Sequence, residues 1–175
     1  GLIAFGLAVP PIGTIAAVMH MAGHTLVKSS LFFGAGEILL RHKTTHAERI
    51  RGILSYAPYT GVLFLLGILA IIAMPPSVLF VSEFSLIAVL IQSHVWLAII
   101  LLAALGLIAF SMLRLTVGML FADRAETAKI DQPKERWNLT HTVMSTQLLL
   151  VAIMAVWFST GAGQRFVSAI ASNLF

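Results

Sequence analysis

The chain of 175 residues contains no cysteine. That absence excludes disulfides and cysteine-held iron–sulfur clusters, so electron transfer would belong to a partner, and no cofactor or metal is expected here. Charge is scarce too: Asp, Glu, Lys and Arg make up 10% of the residues, against about 25% in an ordinary soluble domain. With 59% hydrophobic residues and a mean hydropathy of +0.97, the composition is that of an integral membrane protein. The alternation of a β-barrel is missing, and backbone groups in lipid must pair internally, so the spans are predicted to be helices. The chain also lacks an initiator Met, a basic leader and a small-residue cleavage site; it opens directly on GLIAFGLAV. This predicts a fragment that starts partway through a helix rather than a signal peptide. A sequence pI near 10.0 would suit nucleic acid, but the net charge is only +4 and the basic residues sit in short loops between apolar runs. That is the positive-inside pattern, and no nucleic-acid partner is expected.

What is present divides into apolar runs. Residues 1–9 read as the tail of a span, closed by Pro10 and Pro11. Residues 12–40 form the first complete span, about 43 Å long, with Lys28 near its middle. The loop at 41–52 carries Arg41, Lys43, Arg49 and Arg51 against Glu48 alone and is predicted to be cytoplasmic. Residues 58–92 are apolar but interrupted by Pro75 and Pro76, which remove two backbone donors, so a helix break is predicted there. Two short spans or one span of two half-helices both fit that stretch. Residues 95–121 are the next span, followed at 122–138 by a second basic segment that also holds four acidic residues. If both basic segments are cytoplasmic, an even number of crossings separates them, which makes 58–92 a single broken span. Residues 139–157 are the last span, and Phe166, Ile170 and Leu174 then repeat every four residues as in a short helix lying on the membrane surface. The prediction is an all-α, polytopic transmembrane bundle with about four complete spans plus the tail of one, forming a single transmembrane domain over 1–175.

His20, His24 and Lys28 are spaced four apart inside the first complete span. Positions four apart on a helix differ by about 40° and about 6 Å, so the three form a slowly winding row about 12 Å long, with room for one bridging water per step. Histidine titrates near neutrality, and loss of water disfavours the charged form of lysine. A permanently charged lysine at mid-membrane would cost about 2.5–3.5 kcal/mol, so Lys28 is expected to face a wet cavity or an acidic partner. The competing readings are satisfied core histidines with a snorkelling lysine, a zinc pair from HxxxH, and bis-histidine haem ligation. No Asp, Glu or Cys follows on the same face for zinc. Glu83 stands seven residues past Pro76 in the apolar run LFVSEFSLIAVLI, beside Ser82. A carboxylate there suits proton exchange, and broken helices at membrane depth are tolerated where they line a polar cavity; the alternative is a helix-end glutamate reaching headgroups. Glu37 is expected to pair with Arg41 one turn on, Arg114 to snorkel, and His42, His46 and His141 to be loop or interface residues.

These residues carry a resemblance. The run AAVMHMAGHTLVKSSLFFGAGEIL, the basic loop, IRGIL and then AMPPSVLFVSEFSLI resemble the antiporter-like, proton-conducting subunits of respiratory complex I and the group 4 membrane-bound hydrogenases, in the flavour of hydrogenase-4 component F. The family's His-His-Lys pattern and its helix end fall on His20, His24, Lys28, Phe32, Phe33 and Gly34. Its double-proline break and Ser-Glu-Phe element fall on Pro75, Pro76, Ser82, Glu83 and Phe84. The match covers about residues 1–121, while the last span agrees in placement only. The resemblance implies that the histidine–lysine helix forms the centre of a buried aqueous axis and that Glu83 ends the channel toward the outer side. It also implies a fold of about fourteen spans in two inverted halves, of which this chain holds the C-terminal part.

The function expected on this basis is proton translocation by a non-catalytic membrane subunit of a hydrogenase or NADH:quinone oxidoreductase. A cation/proton antiporter subunit and a haem- or quinone-binding membrane oxidoreductase subunit are the alternatives. The expected partners are other membrane subunits, the missing N-terminal half and the lipid bilayer, in a bacterial or archaeal cytoplasmic membrane.

Overall fold

No proline interrupts residues 12 to 42, and the helix there, α2 (Ile12–His42), runs unbroken for 31 residues, about 46 Å. Around it the computed structural model sets six other helices: α1 (Leu2–Leu7), α3 (Ile53–Tyr56), α4 (Pro58–Ile71), α5 (Val78–Ser93), α6 (Val95–Phe121) and α7 (Leu139–Ser159), with a 3-10 turn at Ala47–Arg49. The described residues are 1–9, 12–122, 135–161, 163 and 165; among them there is no strand. Pro10 and Pro11, most of the second basic segment and the repeat at Phe166, Ile170 and Leu174 lie outside the described residues.

The buried face of α2 is made largely of small residues: Gly13, Ala16, Ala17, Gly23, Ser30 and Gly34. Lipid tails are as apolar as leucine, so helices in a membrane associate through close packing, and small residues let backbones approach. Gly23 is the tightest point, since a Cβ there would stand 2.4 Å from Val78 Cγ1 of α5.

The contacts along α2 set the course of the interrupted stretch. Gly34 lies against Phe64 and Gly67 lies against Leu31, whereas Gly23 meets Val78 and Leu79, and His20 meets Ser82. As the numbers fall along α2 they rise through α4 and then α5. The two half-helices therefore run in series beside α2, antiparallel to it, and barely touch each other. α7 packs against α2 in the same sense, with Met144 at Gly34 and Gln147 at Ser29.

The break is capped by the chain itself. α4 ends with Ala73 in the left-handed region at φ 58; the Met74 N–H bonds to the Leu69 carbonyl and the Ala73 N–H to the Ala70 carbonyl. This is a Schellman ending on a residue other than glycine, at a cost of about 1–2 kcal/mol for the alanine. After Pro75 and Pro76, Ser77 Oγ accepts the Leu79 N–H and starts α5. α4 and α5 are thus separated at Pro75 and Pro76, and these caps satisfy backbone groups on both sides of the break.

α5 and α6 are joined through His94 alone. α6 touches the bundle at its ends, through Ala98 near one and Thr116 and Leu120 near the other, the latter within a cluster of Ile38, Ile50 and Ile53. Between them Leu102, Leu107, Ile108 and Phe110 are exposed. α6 and α7 are each long and apolar enough to cross a membrane; α4 and α5 are shorter apolar helices. So much bare apolar surface on α6 excludes the core helix of a soluble protein.

Candidate functional site

The row on α2 winds from the inside of the bundle to its open face. His20 is 5% exposed, His24 is half-buried and Lys28 is exposed, because each step of four residues turns about 40° away from the centre of the packed face. The rings of His20 and His24 lie 5.4 Å apart between centroids, tilted by 43°.

α5 supplies the partner of His20. Its Nδ1 lies 3.1 Å from Ser82 Oγ, and that oxygen lies 2.9 Å from the Leu79 carbonyl. With the single hydroxyl proton donated to the Leu79 carbonyl, Ser82 accepts from His20. Nδ1 therefore carries a proton, and Nε2 is left with its lone pair when the ring is neutral. The tautomer is fixed by a serine one turn into a capped half-helix, which is what the break contributes: it sets the register of Ser82 against α2. Among the described residues no third ligand joins His20 and His24 to make a metal site.

Glu83 follows Ser82 on α5 and is half-buried at the level of His20. Among the described residues neither Glu83 nor Lys28 has a hydrogen bond or an ion pair. His20 and the Ser82–Glu83 element are thus gathered at one level, while His24 stands about 6 Å and Lys28 about 12 Å from His20 along the helix, Lys28 open to whatever covers α2. The acidic partner expected for Lys28 is not among the described residues.

A second polar cluster escaped the sequence reading. Glu135, with its side chain 1% exposed, accepts the Tyr59 N–H at 2.6 Å, the Thr60 N–H at 3.1 Å and the Thr60 hydroxyl, and pairs with Arg41 at 3.9 Å. It thereby caps the N-terminus of α4, where two orphan donors and the helix dipole favour an anion. His141 is wholly buried, not a loop or interface residue: its Nδ1 accepts the Asn138 N–H in a capping box at the start of α7. Nε2 consequently bears the proton and lies 3.2 Å from Glu135 and 3.0 Å from Thr60 Oγ1. Glu37 accepts from Asn138 Nδ2 at 2.9 Å instead of pairing with Arg41. An i,i+4 pair is worth only about 0.5 kcal/mol, less than Arg41 gains from a buried carboxylate. His42 bonds the Tyr56 hydroxyl and His46 is exposed. The sequence signal for the cluster was the Asn-x-x-His spacing at 138–141, facing a helix that begins with proline.

The sequence matches, over residues 1–109, the family described as NADH:quinone oxidoreductase/Mrp antiporter, transmembrane. The chain belongs to that family. It is an integral membrane protein of antiporter-like type, as the motifs around Lys28 and Pro75 suggested. It is 29% identical over 161 residues to hydrogenase-4 component B of Escherichia coli (strain K12), an alignment covering 85% of this chain and 24% of that protein. Against a hydrogenase-4 component F homolog of Methylacidiphilum infernorum (isolate V4) it is 29% identical over 123 residues, 67% of this chain and 26% of the relative. Against the chloroplastic NAD(P)H-quinone oxidoreductase subunit 5 of Chaetosphaeridium globosum it is 31% identical over 112 residues, 59% of this chain and 17% of the relative. The chain spans about a quarter or less of the length of these curated relatives.

Proposed function

We propose that this chain is the C-terminal part of a proton-translocating subunit in a redox-driven membrane complex, of the hydrogenase or NADH:quinone oxidoreductase kind. The observation that carries the proposal is the row from buried His20, with its tautomer fixed by Ser82, through His24 to the exposed Lys28. A relay needs a group that can lose and regain a proton, a neighbour within one water, and an open end to receive the next group. His20 offers Nε2 as acceptor, His24 lies one step away, and Lys28 is the switchable site. Glu83, beside the Ser82 contact, is the exchange site toward the outer side. The remaining part of the subunit covers the open face of α2 and brings the charge that Lys28 answers. The chain itself does no redox chemistry, which its hydrogenase or dehydrogenase partners carry out. Its membrane is the cytoplasmic membrane of a bacterium or archaeon. The family description also names Mrp antiporters, which makes a cation/proton antiporter the second reading.

Lys28→Met, made in the full-length subunit within its complex, is expected to reduce proton transport to the level of protein-free vesicles. Lys28→Arg keeps the charge but stays protonated, and is expected not to restore it. Full transport by the arginine variant would make Lys28 a structural cation and overturn the mechanism. His24→Ala should slow transport by removing one relay step. We also infer that α4 and α5 together cross the membrane once, since they run in series beside α2. Single cysteines at Thr45 and Arg136 should then be labelled from one side of the membrane and one at Ser93 from the other. Thr45 and Arg136 reacting from opposite sides would refute the single crossing.

A further inference from the structure

Where the basic loop meets the end of α6 there is an open cavity of about 750 Å³, lined by Glu48, Arg51, Phe110, Ser111, Arg114 and Leu115 among others. We propose that it binds the phosphodiester headgroup of an anionic phospholipid, with the acyl chains lying along the bare middle of α6.

Three features build the site. Arg51 is held in place by backbone alone: its Nε–H donates to the Glu48 carbonyl at 3.1 Å and its Nη1 to the Gly118 carbonyl at 3.2 Å. Those two bonds use two of the five guanidinium protons, so the remaining donors stay directed outward at little further entropic cost. Gly118 makes the approach possible, because a Cβ at that position would stand 2.9 Å from Arg51 Nη1. Arg114 lies one turn before Gly118 on α6, exposed, with no hydrogen bond or ion pair among the described residues. Two guanidinium groups on one cavity match a phosphodiester, which offers two anionic oxygens to planar donors.

The surroundings argue for a lipid in preference to a free anion. Arg114 is about 10 Å from the end of α6 at Phe121, close enough for its side chain to reach toward headgroups at that end. Phe110, 64% exposed, and Leu107, 68% exposed, continue the wall from the arginines toward the middle of the helix, as an acyl chain requires. Glu48 also lines the cavity, so the balance there is two positive charges against one negative. That balance suits one anionic headgroup and leaves a carboxylate to accept from its hydroxyls.

The test uses the full-length subunit in its complex, reconstituted in phosphatidylcholine vesicles with trace spin-labelled phosphatidylglycerol or phosphatidylcholine. The wild type is expected to hold phosphatidylglycerol in preference. Each arginine is worth about fivefold, so Arg114→Gln should lower that preference about fivefold while Arg114→Lys keeps most of it. Gly118→Val displaces Arg51 without changing any charge, and should lower the preference to a similar degree. An equal preference in wild type and Arg114→Gln would overturn the proposal. Equally tight binding of phosphatidylethanolamine would overturn the choice of an anionic lipid, and displacement of the label by millimolar inorganic phosphate would overturn the choice of a lipid. Absence of any immobilised label would mean that a neighbouring protein fills the cavity, which also overturns it.

Discussion

At the start of α4, buried Glu135 accepts from Tyr59, Thr60 and His141; at the middle of α2, the groups that matter have one neighbour each or none. Glu135, Thr60, His141, Asn138 and Glu37 form a network in which each donor has found an acceptor and His141 is fixed as the Nε2–H tautomer from both sides. His20 is fixed on one side only, through Nδ1, and the row leading from it to Lys28 ends in the open. A saturated network holds helices together because moving any proton would leave a buried group unpaired. An unsaturated row can pass a proton on because its next partner is not yet committed. Both clusters use histidine and glutamate, and on the proposed reading it is the degree of saturation that separates the anchor from the relay.

The largest effect that would sharpen this contrast is expected at Glu83. Glu83→Gln removes a titratable group that has no bonded partner among the described residues, so proton transport by the full-length subunit should fall to the level of lipid controls. Stability should move by no more than about 0.5 kcal/mol, since no contact is lost. A variant that transports normally would remove Glu83 from the relay.

The opposite pattern is expected at Glu135. Glu135→Ala strands Arg41, His141 and two amide donors in a buried site, a loss of about 3–5 kcal/mol that heating the detergent-solubilised subunit should reveal as a lower midpoint. Transport per folded molecule should stay near wild type. If instead transport collapses while the midpoint holds, Glu135 belongs to the proton path and the contrast between the clusters fails.

A smaller change tests what brings α5 to the row. Gly23→Ala places a methyl where only 2.4 Å is available beside Val78 Cγ1, and overpacking of this kind costs about 1–3 kcal/mol. Displacement of α5 should also loosen the His20–Ser82 bond, so the midpoint and the transport rate should fall together. Transport unchanged at a lowered midpoint would mean that the relay does not depend on this approach.

The parts of this fold that could be read from sequence are those set by local chemistry. α6 begins and ends at the predicted residues because a continuous apolar run stops at polar ones, and the interruption at Pro75 and Pro76 follows from two missing donors. The four-residue spacing of His20, His24 and Lys28 likewise placed them on one winding row. The four-residue helix at Ile53–Tyr56 was not legible, since so short a helix forms only through tertiary packing, here of Ile53 into a cluster shared with α2 and α6. Nor was the burial of Glu135: inside a charged segment it reads as a solvated residue, and only the docking of that segment on the N-terminus of α4 makes it a cap. Sequence spacing also favoured Glu37 as the partner of Arg41, because it could not see the competing carboxylate from another element. Local patterns gave the helices, in short, and register between helices gave the partners.

That register is probed most finely by Ser82→Ala. The serine is wholly buried, and its loss leaves the Nδ1–H of His20 without an acceptor, while the Leu79 carbonyl keeps its place in the helix. An unpaired buried donor costs about 1–3 kcal/mol, which the ring can partly escape by moving its proton to Nε2. That escape removes the lone pair on which the proposed relay depends. Transport should therefore slow about fivefold, the equivalent of about 1 kcal/mol, and nitrogen-15 spectra of the labelled histidine should show the shift from the Nδ1–H to the Nε2–H form. Ser82→Thr keeps the hydroxyl and should restore both the spectrum and most of the rate. A slowed alanine variant whose tautomer is unchanged would show that Ser82 acts through packing alone, and the asymmetry at His20 would then have no part in conduction.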